Sequence, residues 1–252
     1  MRDIDKYWDT YKDNYGFEEV LSVYRERKAL EFLYKQEARN VLEIGAGFRP
    51  LFLNYKEFHK YTVVEPGKKP FEFLSKHTES NSRIECIYGT LEDSFEKLLK
   101  YNFDFIVLNG ILHEIEEPEI FLNFIYRLMK DKTFVYFSVA NAQSVHRLLA
   151  KKMGLIQNIS DRTSLNLKLE QQVVFDSSSL VKLLMQAMPN IKVKNLGTFF
   201  IKPFTNEQMF LAAKAGILNQ DIFEGLFRLS EIFPDVGCEI FCVIQKEQGL
   251  NG

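Results

Sequence analysis

Short apolar runs alternate with amphipathic segments through the first part of the chain, and this alternation predicts its architecture. Runs of strand length, rich in β-branched and aromatic residues, lie at 40–45, 61–65, 83–88, 103–109 and 133–139. Between them, apolar residues recur at helical spacing around 51–58, 69–77, 91–100 and 117–130. Strands that alternate with helices in this way form a parallel sheet covered on both faces.

The pattern loosens after residue 140, where we expect insertions within the same domain. Residues 191–196 and 237–245 predict a sixth and a seventh strand, and the stretch 176–179, Asp-Ser-Ser-Ser, predicts a helix start. Two further segments, about 141–175 and 198–236, predict helical insertions that form a lid over an acceptor site. The fold class is therefore α/β, with a doubly wound, mostly parallel seven-stranded sheet in a domain over residues 38–252.

Residues 1–37 predict an N-terminal helical cover, because apolar and aromatic side chains recur at near-helical spacing over residues 5–36. We expect Gly16 to divide this stretch into two helices. Two interpretations of the cover stand side by side. Either it packs on the sheet as an amphipathic segment, or one of its aromatic residues closes over a ligand, the candidates being Trp8, Tyr11 and Tyr15.

The first two predicted strands end in residues suited to a nucleoside. The first runs into a turn with Gly45 and Gly47, which lack a Cβ and therefore let a ligand approach the backbone closely. The second ends at Glu65, whose carboxylate can accept hydrogen bonds from both hydroxyls of a ribose. Because the carboxyl ends of parallel strands meet at one edge of the sheet, these residues predict a single nucleoside pocket.

Four stretches, taken in register, resemble the class I S-adenosylmethionine-dependent methyltransferases, a family with a Rossmann-like domain. Residues 41–47, Val-Leu-Glu-Ile-Gly-Ala-Gly, match the first motif of the family, and Glu65 matches its ribose-binding acid. Residues 87–93 fall where the third strand end flanks adenine, and residues 103–118 resemble the fourth motif. The resemblance covers residues 38–140 and implies S-adenosylmethionine as cofactor. The cofactor-binding residues that it implies are Glu43, Gly45, Ala46, Gly47, Arg49, Glu65, Pro66, Thr90, Leu91, Asn109 and Gly110.

Departures from the family pattern raise specific expectations. Arg49 stands where the family often has a third glycine, so either the turn is wider or Arg49 reaches the methionine carboxylate. Thr90 replaces an aspartate often found beside adenine, which leaves the Leu91 backbone and Glu92 for that contact. Glu43 is interpreted either as a buried carboxylate bonded to backbone or as a group that orients the cofactor amino group. Dinucleotide-binding proteins need Gly-x-Gly-x-x-Gly against a pyrophosphate, and Pro50 in the sixth position favours a sulfonium nucleoside instead.

Two histidines are candidate catalytic bases for methyl transfer. His113, with Glu114 beside it, follows the fourth strand end and either acts as a base or shapes the pocket. His146, with Arg147 in the insertion, is the second candidate, and the pair can equally lie at the surface or clamp an anionic acceptor. The run of glutamates from Glu114 suits a helix start better than a metal site. No metal is expected.

Composition narrows the class of partner. The net charge is −2 and no long Lys/Arg run occurs, which disfavours a nucleic-acid partner. The first residues lack an apolar signal core and no apolar stretch reaches membrane length, so we expect a cytoplasmic protein without membrane insertion. The three cysteines predict neither a disulfide framework nor a zinc site. The oligomeric state stays open.

The predicted function is methyl transfer from S-adenosylmethionine to an oxygen or nitrogen of a small-molecule acceptor. The C-terminal third resembles methyltransferases of bacterial surface-sugar or secondary-metabolite gene sets, which makes a sugar or a surface-polysaccharide precursor the expected acceptor. One alternative is a non-catalytic S-adenosylmethionine-binding or interaction protein on the same fold. A nicotinamide-dependent oxidoreductase is a further alternative, and the missing third glycine disfavours it.

Overall fold

The computed structural model describes residues 16–79, 81–163, 166–167 and 171–247. The part of the N-terminal cover that precedes Gly16, with the candidate aromatic residues Trp8, Tyr11 and Tyr15, lies outside the described residues. Among the described helices, none is long and apolar enough to cross a membrane.

The described part of the chain forms one seven-stranded sheet with the strand order β3-β2-β1-β4-β5-β7-β6. The strands are β1 Asn40–Ile44, β2 Lys60–Glu65, β3 Ile84–Tyr88, β4 Phe105–Asn109, β5 Phe134–Ala140, β6 Ile191–Phe199 and β7 Glu239–Lys246. Neighbours among β1 to β5 pair in parallel, whereas β7 is antiparallel to both β5 and β6. The strand order reverses between β1 and β4, and ligands of such sheets bind at the carboxyl ends of the strands near that reversal.

Eight helices are described around the sheet: α1 Glu18–Lys35, α2 Lys68–Thr78, α3 Leu91–Leu98, α4 Pro118–Leu128, α5 Val145–Lys152, α6 Ser177–Ala187, α7 Asn206–Lys214 and α8 Gln220–Arg228. The helix start predicted at 176–179 is confirmed, because Asp176 caps α6 and forms a reciprocal capping box with Ser179. The predicted helix at 51–58 is wrong. Only one 3-10 turn forms there, Leu51–Leu53, and the buried ring of Tyr55 donates its hydroxyl to the Ala38 carbonyl at 2.6 Å.

The two faces of the sheet are covered by different helices. On one face, apolar residues of β1, β4 and β5, represented by Leu42, Ile106 and Phe137, pack with α3, α4 and α6. On the other face, Val41 and Phe105 pack with α1, α2 and the 3-10 turn at Leu51–Leu53. This double covering is the doubly wound arrangement predicted from the strand-helix alternation.

A third apolar cluster joins the start of α1 to the segment between β6 and β7. Phe17 and Tyr24 both contact Phe200. In α8, Phe17 also contacts Phe223 and Tyr24 contacts Phe227, and Met209 of α7 belongs to the same cluster. The described part of the N-terminal cover therefore packs both on the sheet and on the second insertion.

Candidate functional site

One large cavity lies at the carboxyl ends of the strands around the reversal of strand order. Its volume is about 1990 Å³, which exceeds the roughly 300–1000 Å³ of a typical small-molecule pocket. Every site residue predicted from the sequence lines it: Glu43, Gly45, Ala46, Gly47, Arg49, Glu65, Pro66, Thr90, Leu91, Asn109, Gly110, His113 and His146. The cavity thus collects residues from the strand ends and from the first insertion.

The glycine turn after β1 needs its glycines for a steric reason. Gly45 and Gly47 have φ of +69° and +57°, in the left-handed region that side chains with a Cβ rarely adopt. A Cβ on Gly45 would lie 2.9 Å from Cγ2 of Ile111, which follows β4. The turn and the loop after β4 are therefore packed tightly against each other at the cavity wall.

Glu65 ends β2 and is 2% exposed. Its carboxylate accepts the backbone N–H of Gly47 and of Gly67, each at 2.9 Å and each on a different oxygen. Burial raises the pKa of Glu65 to about 7, although these two backbone hydrogen bonds lower it. Because each carboxylate oxygen has two acceptor positions, both oxygens retain a lone pair for a ligand in the cavity.

Glu43, on β1, is 1% exposed. Its Oε2 accepts the hydroxyl of Tyr61 at 2.7 Å and the backbone N–H of Leu51 at 3.0 Å. Burial raises the pKa of Glu43 to about 8, against these two hydrogen bonds, which lower it. Glu43 is therefore a buried carboxylate bonded to backbone, the first of the two interpretations of this residue, and its hydrogen bonds join the segment after β1 to β2. Orientation of the cofactor amino group by Glu43 stays a prediction.

Arg49 lies just beyond the glycine turn and is held by α1. Its Nη2 donates to Oε2 of Glu26 at 2.8 Å, and Glu26, a buried residue of α1, also accepts the side-chain amide of Asn54. The Nε–H of Arg49 is buried and has no hydrogen-bond partner among the described residues. Arg49 therefore retains one donor at the cavity wall, and its contact with a methionine carboxylate stays a prediction.

The ends of β3 and β4 complete the wall on either side of the glycine turn. Thr90 caps α3, because its hydroxyl oxygen accepts the backbone N–H of Asp93 at 3.2 Å. Asn109 Oδ1 accepts the Ser138 hydroxyl at 2.6 Å. Gly110 has φ of +81°, and a Cβ there would lie 3.3 Å from Cδ of Arg25 in α1. The backbone at Gly110 is thus shielded by α1.

His113 is buried in a 3-10 turn, Leu112–Glu114, and contacts the end of the first insertion. Its Nε2 lies 3.0 Å from Nε2 of Gln171 and 3.8 Å from Oε1 of Glu114. Because the amide nitrogen of Gln171 only donates, His113 Nε2 is the acceptor in this contact. The His113 carbonyl also accepts the backbone N–H of Gln172 at 2.9 Å. His113 therefore fixes the segment 171–172 at the cavity edge.

His146 is the second residue of α5, the first helix of the insertion, and its backbone N–H donates to the Lys202 carbonyl at 3.2 Å. Burial, together with the charges of Lys202 and Arg147, lowers the pKa of His146 to about 2. Its Nδ1 is buried and has no hydrogen-bond partner among the described residues. Arg147 is also buried and donates to the carbonyls of Ile159, at 2.7 Å, and Asp161.

The charged residues that line the cavity and that the sequence analysis did not assign include Glu18, Arg25, Lys202 and Glu239. Arg25 Nε donates to both carboxylate oxygens of Glu239 at 2.9 Å, and Arg25 Nη2 lies 2.7 Å from Oε1 of Glu18. Burial raises the pKa of Glu239, against the lowering effect of Arg25. The only sequence signal for Lys202 is its position as a lone lysine in an aromatic stretch, Phe199–Phe204. Arg25 and Glu239 are 214 positions apart, and no local pattern connects them.

The described part of the chain contains neither a candidate metal site nor a reactive thiol. No group of three or more His, Cys, Asp or Glu residues there could hold a metal ion. Cys86, Cys238 and Cys242 are free thiols, and burial raises the pKa of each to about 12. They remain protonated near neutral pH, which makes them poor nucleophiles.

The fold and the cavity together define the class. The sheet order with β7 antiparallel, the glycine turn after β1 and the carboxylate that ends β2 are those of a class I methyltransferase domain. A sequence model of the family described as "Methyltransferase domain" matches residues 17–187, and the chain belongs to that family. The predicted family and fold class are therefore confirmed, and S-adenosylmethionine is the cofactor of this family, as predicted.

Solved structures show the same fold at low sequence identity. The plantazolicin methyltransferase BamL, in complex with a triazolic desmethylPZN analog and SAH, is 14% identical, with 97% of this chain and 95% of that chain covered and a TM-score of 0.62. A chain from the complex between the Haloferax volcanii Trm112 methyltransferase activator and a methyltransferase is 11% identical, with 97% and 99% covered and a TM-score of 0.58.

Among curated proteins, the nonribosomal peptide synthetase dtxS1 of Metarhizium robertsii is 29% identical over 86 residues, which are 33% of this chain. The match spans about 1% of the length of that synthetase. This similarity therefore concerns a small part of the synthetase and not the synthetase as a whole.

Proposed function

We propose that this protein transfers the methyl group of S-adenosylmethionine to an oxygen or nitrogen of a small-molecule acceptor. The observation that carries the proposal is the single cavity of about 1990 Å³ lined both by the strand-end residues and by residues after position 140. Its volume is about twice the upper end of the range for one ligand, so a donor and an acceptor fit together. Adjacent binding of both reactants is what a displacement reaction requires.

The strand-end residues fit the three parts of the donor. Glu65 retains a lone pair on each oxygen for the two ribose hydroxyls. The glycine turn at Gly45 offers backbone without side chains to the methionine part, and the Nε–H of Arg49 supplies a donor for its carboxylate. Residues Thr90 and Leu91 at the start of α3 border the place for adenine.

When bound, S-adenosylmethionine would supply a methyl group on a sulfonium; the acceptor atom would bond to the methyl carbon in line as the carbon–sulfur bond breaks, with S-adenosylhomocysteine as the leaving group. The contribution of the chain is to hold the acceptor atom near that methyl group in a pocket that excludes water. The acceptor proton is lost during the transfer, which gives a histidine a role only when its nitrogen can accept that proton.

Neither candidate histidine is well suited to accept the proton of the acceptor. His113 Nε2 already accepts the Gln171 amide at 3.0 Å, so His113 is better suited to fixing the edge of the cavity than to taking a proton. The pKa of His146, lowered to about 2, keeps its ring neutral near pH 7 and makes it a weak base. An amine acceptor that reaches the cavity neutral, and needs no strong base, fits these two environments best.

Donor binding is tested by thermal unfolding of wild type, Glu65→Ala and the exposed control Glu96→Gln with S-adenosylmethionine, S-adenosylhomocysteine and NAD. A ligand at about a hundred times its Kd stabilises the folded state by roughly 2.7 kcal/mol and raises the Tm by a few degrees. We expect the two sulfur nucleosides to raise the Tm of wild type and Glu96→Gln, and to raise that of Glu65→Ala much less. A response to NAD alone would replace this proposal by the oxidoreductase.

Turnover is tested by release of S-adenosylhomocysteine with panels of amines, phenols and sugars. The sugar acceptor predicted from the C-terminal third stays a prediction. Comparing turnover of amino sugars with that of matched amines that are not sugars tests whether the enzyme prefers a sugar. Donor binding without turnover of any acceptor would favour a non-catalytic binding protein.

A further inference from the structure

The part of the cavity formed after residue 140 contains a buried lysine that has no carboxylate partner among the residues that the structure describes. Lys202 lies between β6 and α7 and is 6% exposed. Its Nζ donates to Oδ1 of Asn206, and no carboxylate among the described residues lies within 4.0 Å of it. Burial lowers the pKa of Lys202. A buried ammonium group that lacks a counter-ion is costly, and an anion brought by a ligand removes that cost.

The carboxylates near Lys202 are bound by another cation. Glu18 and Glu239 both contact Arg25, at 2.7 Å and 2.9 Å respectively. Arg147 adds a second buried positive charge, and its guanidinium binds backbone carbonyls of the insertion. Lys202, Arg25 and Arg147 therefore outnumber Glu18 and Glu239 among these groups. Burial lowers the pKa of Arg147, against the raising effect of Asp161.

A second, independent donor points to the same place. His146 and Lys202 are adjacent, because the backbone N–H of His146 donates to the Lys202 carbonyl at 3.2 Å. The imidazole lines the cavity and is neutral, and its buried Nδ1 has no hydrogen-bond partner among the described residues. In the tautomer with the proton on Nδ1, this atom is a donor that no protein acceptor among the described residues uses, in a ring close enough to Lys202 for the lysine charge to lower its pKa.

We propose that the methyl acceptor carries an anionic oxygen group, a carboxylate or a phosphate, that binds Lys202 Nζ and the Nδ1–H of His146. This inference rests on the proposed methyl transfer and names its substrate class. Lys202 then determines specificity, because a neutral acceptor leaves the buried ammonium without a counter-ion. Asn206 holds the lysine for this contact, and Arg147 adds to the positive potential around the anion.

The test measures anion binding separately from donor binding. Wild type, Lys202→Met and the exposed control Lys214→Met are each saturated with S-adenosylhomocysteine. Each is then titrated in thermal unfolding with inorganic phosphate, acetate, glucose 6-phosphate, glucuronate and neutral glucose, at an ionic strength held constant with chloride. The phosphate and carboxylate probes distinguish the two kinds of anion. Lys202→Met keeps an apolar chain of similar length, and its Tm without ligand reports whether it folds.

We expect at least one anion to stabilise wild type and Lys214→Met while glucose does not. For Lys202→Met, we expect an apparent affinity lower by about tenfold or more, the loss typical of a hydrogen bond to a charged group. His146→Leu should also lower the apparent affinity for the same anion. Equal responses of wild type and Lys202→Met to every anion would overturn the inference. Failure of S-adenosylhomocysteine to bind, with the anion response intact, would instead overturn the proposed methyl transfer.

Discussion

Glu43 and Glu65 are carboxylates on adjacent strands that differ in what their oxygens contact. Both are buried, and burial raises their pKa values to about 8 and about 7. Glu43 accepts hydrogen bonds from Tyr61 and Leu51, and its contacts join chain segments to each other. Glu65 accepts one backbone N–H on each oxygen and retains acceptor capacity toward the cavity. One carboxylate therefore suits a structural contact and the other a ligand.

Donor affinity should depend on pH through Glu65. The carboxylate is the better acceptor for ribose hydroxyls, and with a pKa of about 7 it is lost progressively below that pH. We expect the affinity of wild type for S-adenosylhomocysteine to fall as the pH is lowered from about 8 to about 6. Glu65→Gln should bind about tenfold more weakly at pH 8, with a flatter pH dependence. Isothermal titration across this range checks both, and parallel pH profiles would contradict the assignment.

Glu43 should lower stability at high pH. The folded-state pKa of about 8 exceeds the ordinary value of 4.5, so the folded state retains a proton that the unfolded chain loses between these values. The free energy of unfolding therefore falls as the pH rises from about 4.5 through about 8. Relative to wild type, Glu43→Gln should gain stability over this range, on the order of a few kcal/mol in total.

Urea unfolding of Glu43→Gln, wild type and the exposed control Glu96→Gln at several pH values measures this gain. The control should follow wild type at every pH. A constant difference between Glu43→Gln and wild type would mean that Glu43 does not titrate between pH 4.5 and 8.

Among the secondary-structure elements, helix starts are what the local sequence predicts well. The cap at Asp176 was predicted because Asp and Ser side chains bind the free N–H groups of a first turn. The segment 51–58 was predicted wrongly, because its apolar residues at helical spacing also suit an irregular loop. There Tyr55 and Phe58 are buried, and Tyr55 binds the carbonyl of Ala38. Packing against distant parts of the chain therefore determines the conformation of residues 51–58.

The caps of α6 and α7 form a matched pair for testing the anion site. Asp176 and Thr205 each form a capping box, but α7 also begins with Asn206, which binds Lys202. Asp176→Ala and Thr205→Ala should each cost about 1 kcal/mol in the free energy of unfolding. Only Thr205→Ala should also weaken binding of the anion probe, because it loosens the turn that carries Asn206. Unfolding in urea and anion titration of both variants check this. Equal anion affinities of the two variants would show that the cap of α7 does not influence anion binding.

At the scale of the whole molecule, α1 connects the two halves of the cavity. Arg49 of the donor side binds Glu26 of α1, and Arg25, one position earlier, binds Glu239 at the start of β7. The strand-helix alternation, the glycine turn and Glu65 were predictable, since each depends on short-range periodicity or on position at a strand end. The Arg25–Glu239 pair and the setting of Lys202 were not, because they depend on which distant segments meet.

Removal of Arg25 should be strongly destabilising. Arg25→Met leaves Glu239 buried without its cation, and loss of one partner of a buried pair costs about 3–5 kcal/mol. The double variant Arg25→Met/Glu239→Gln should recover a large part of this loss, because no buried charge remains. Denaturant unfolding of both single variants and the double variant gives the coupling energy. Additive losses would show that the pair contributes little beyond its separate residues.

The position of β7 between β5 and β6 also bears on how the protein is made. The strand β6 is synthesised before β7, and residues 200–238 separate the two. At roughly 5–20 residues per second, a ribosome needs about 2–8 s to make that segment. Until β7 has been made, β6 lacks the strand that joins it to β5. Completion of the sheet is therefore a late event, because β6 joins β5 only through the last strand of the chain to be made among β1 to β7.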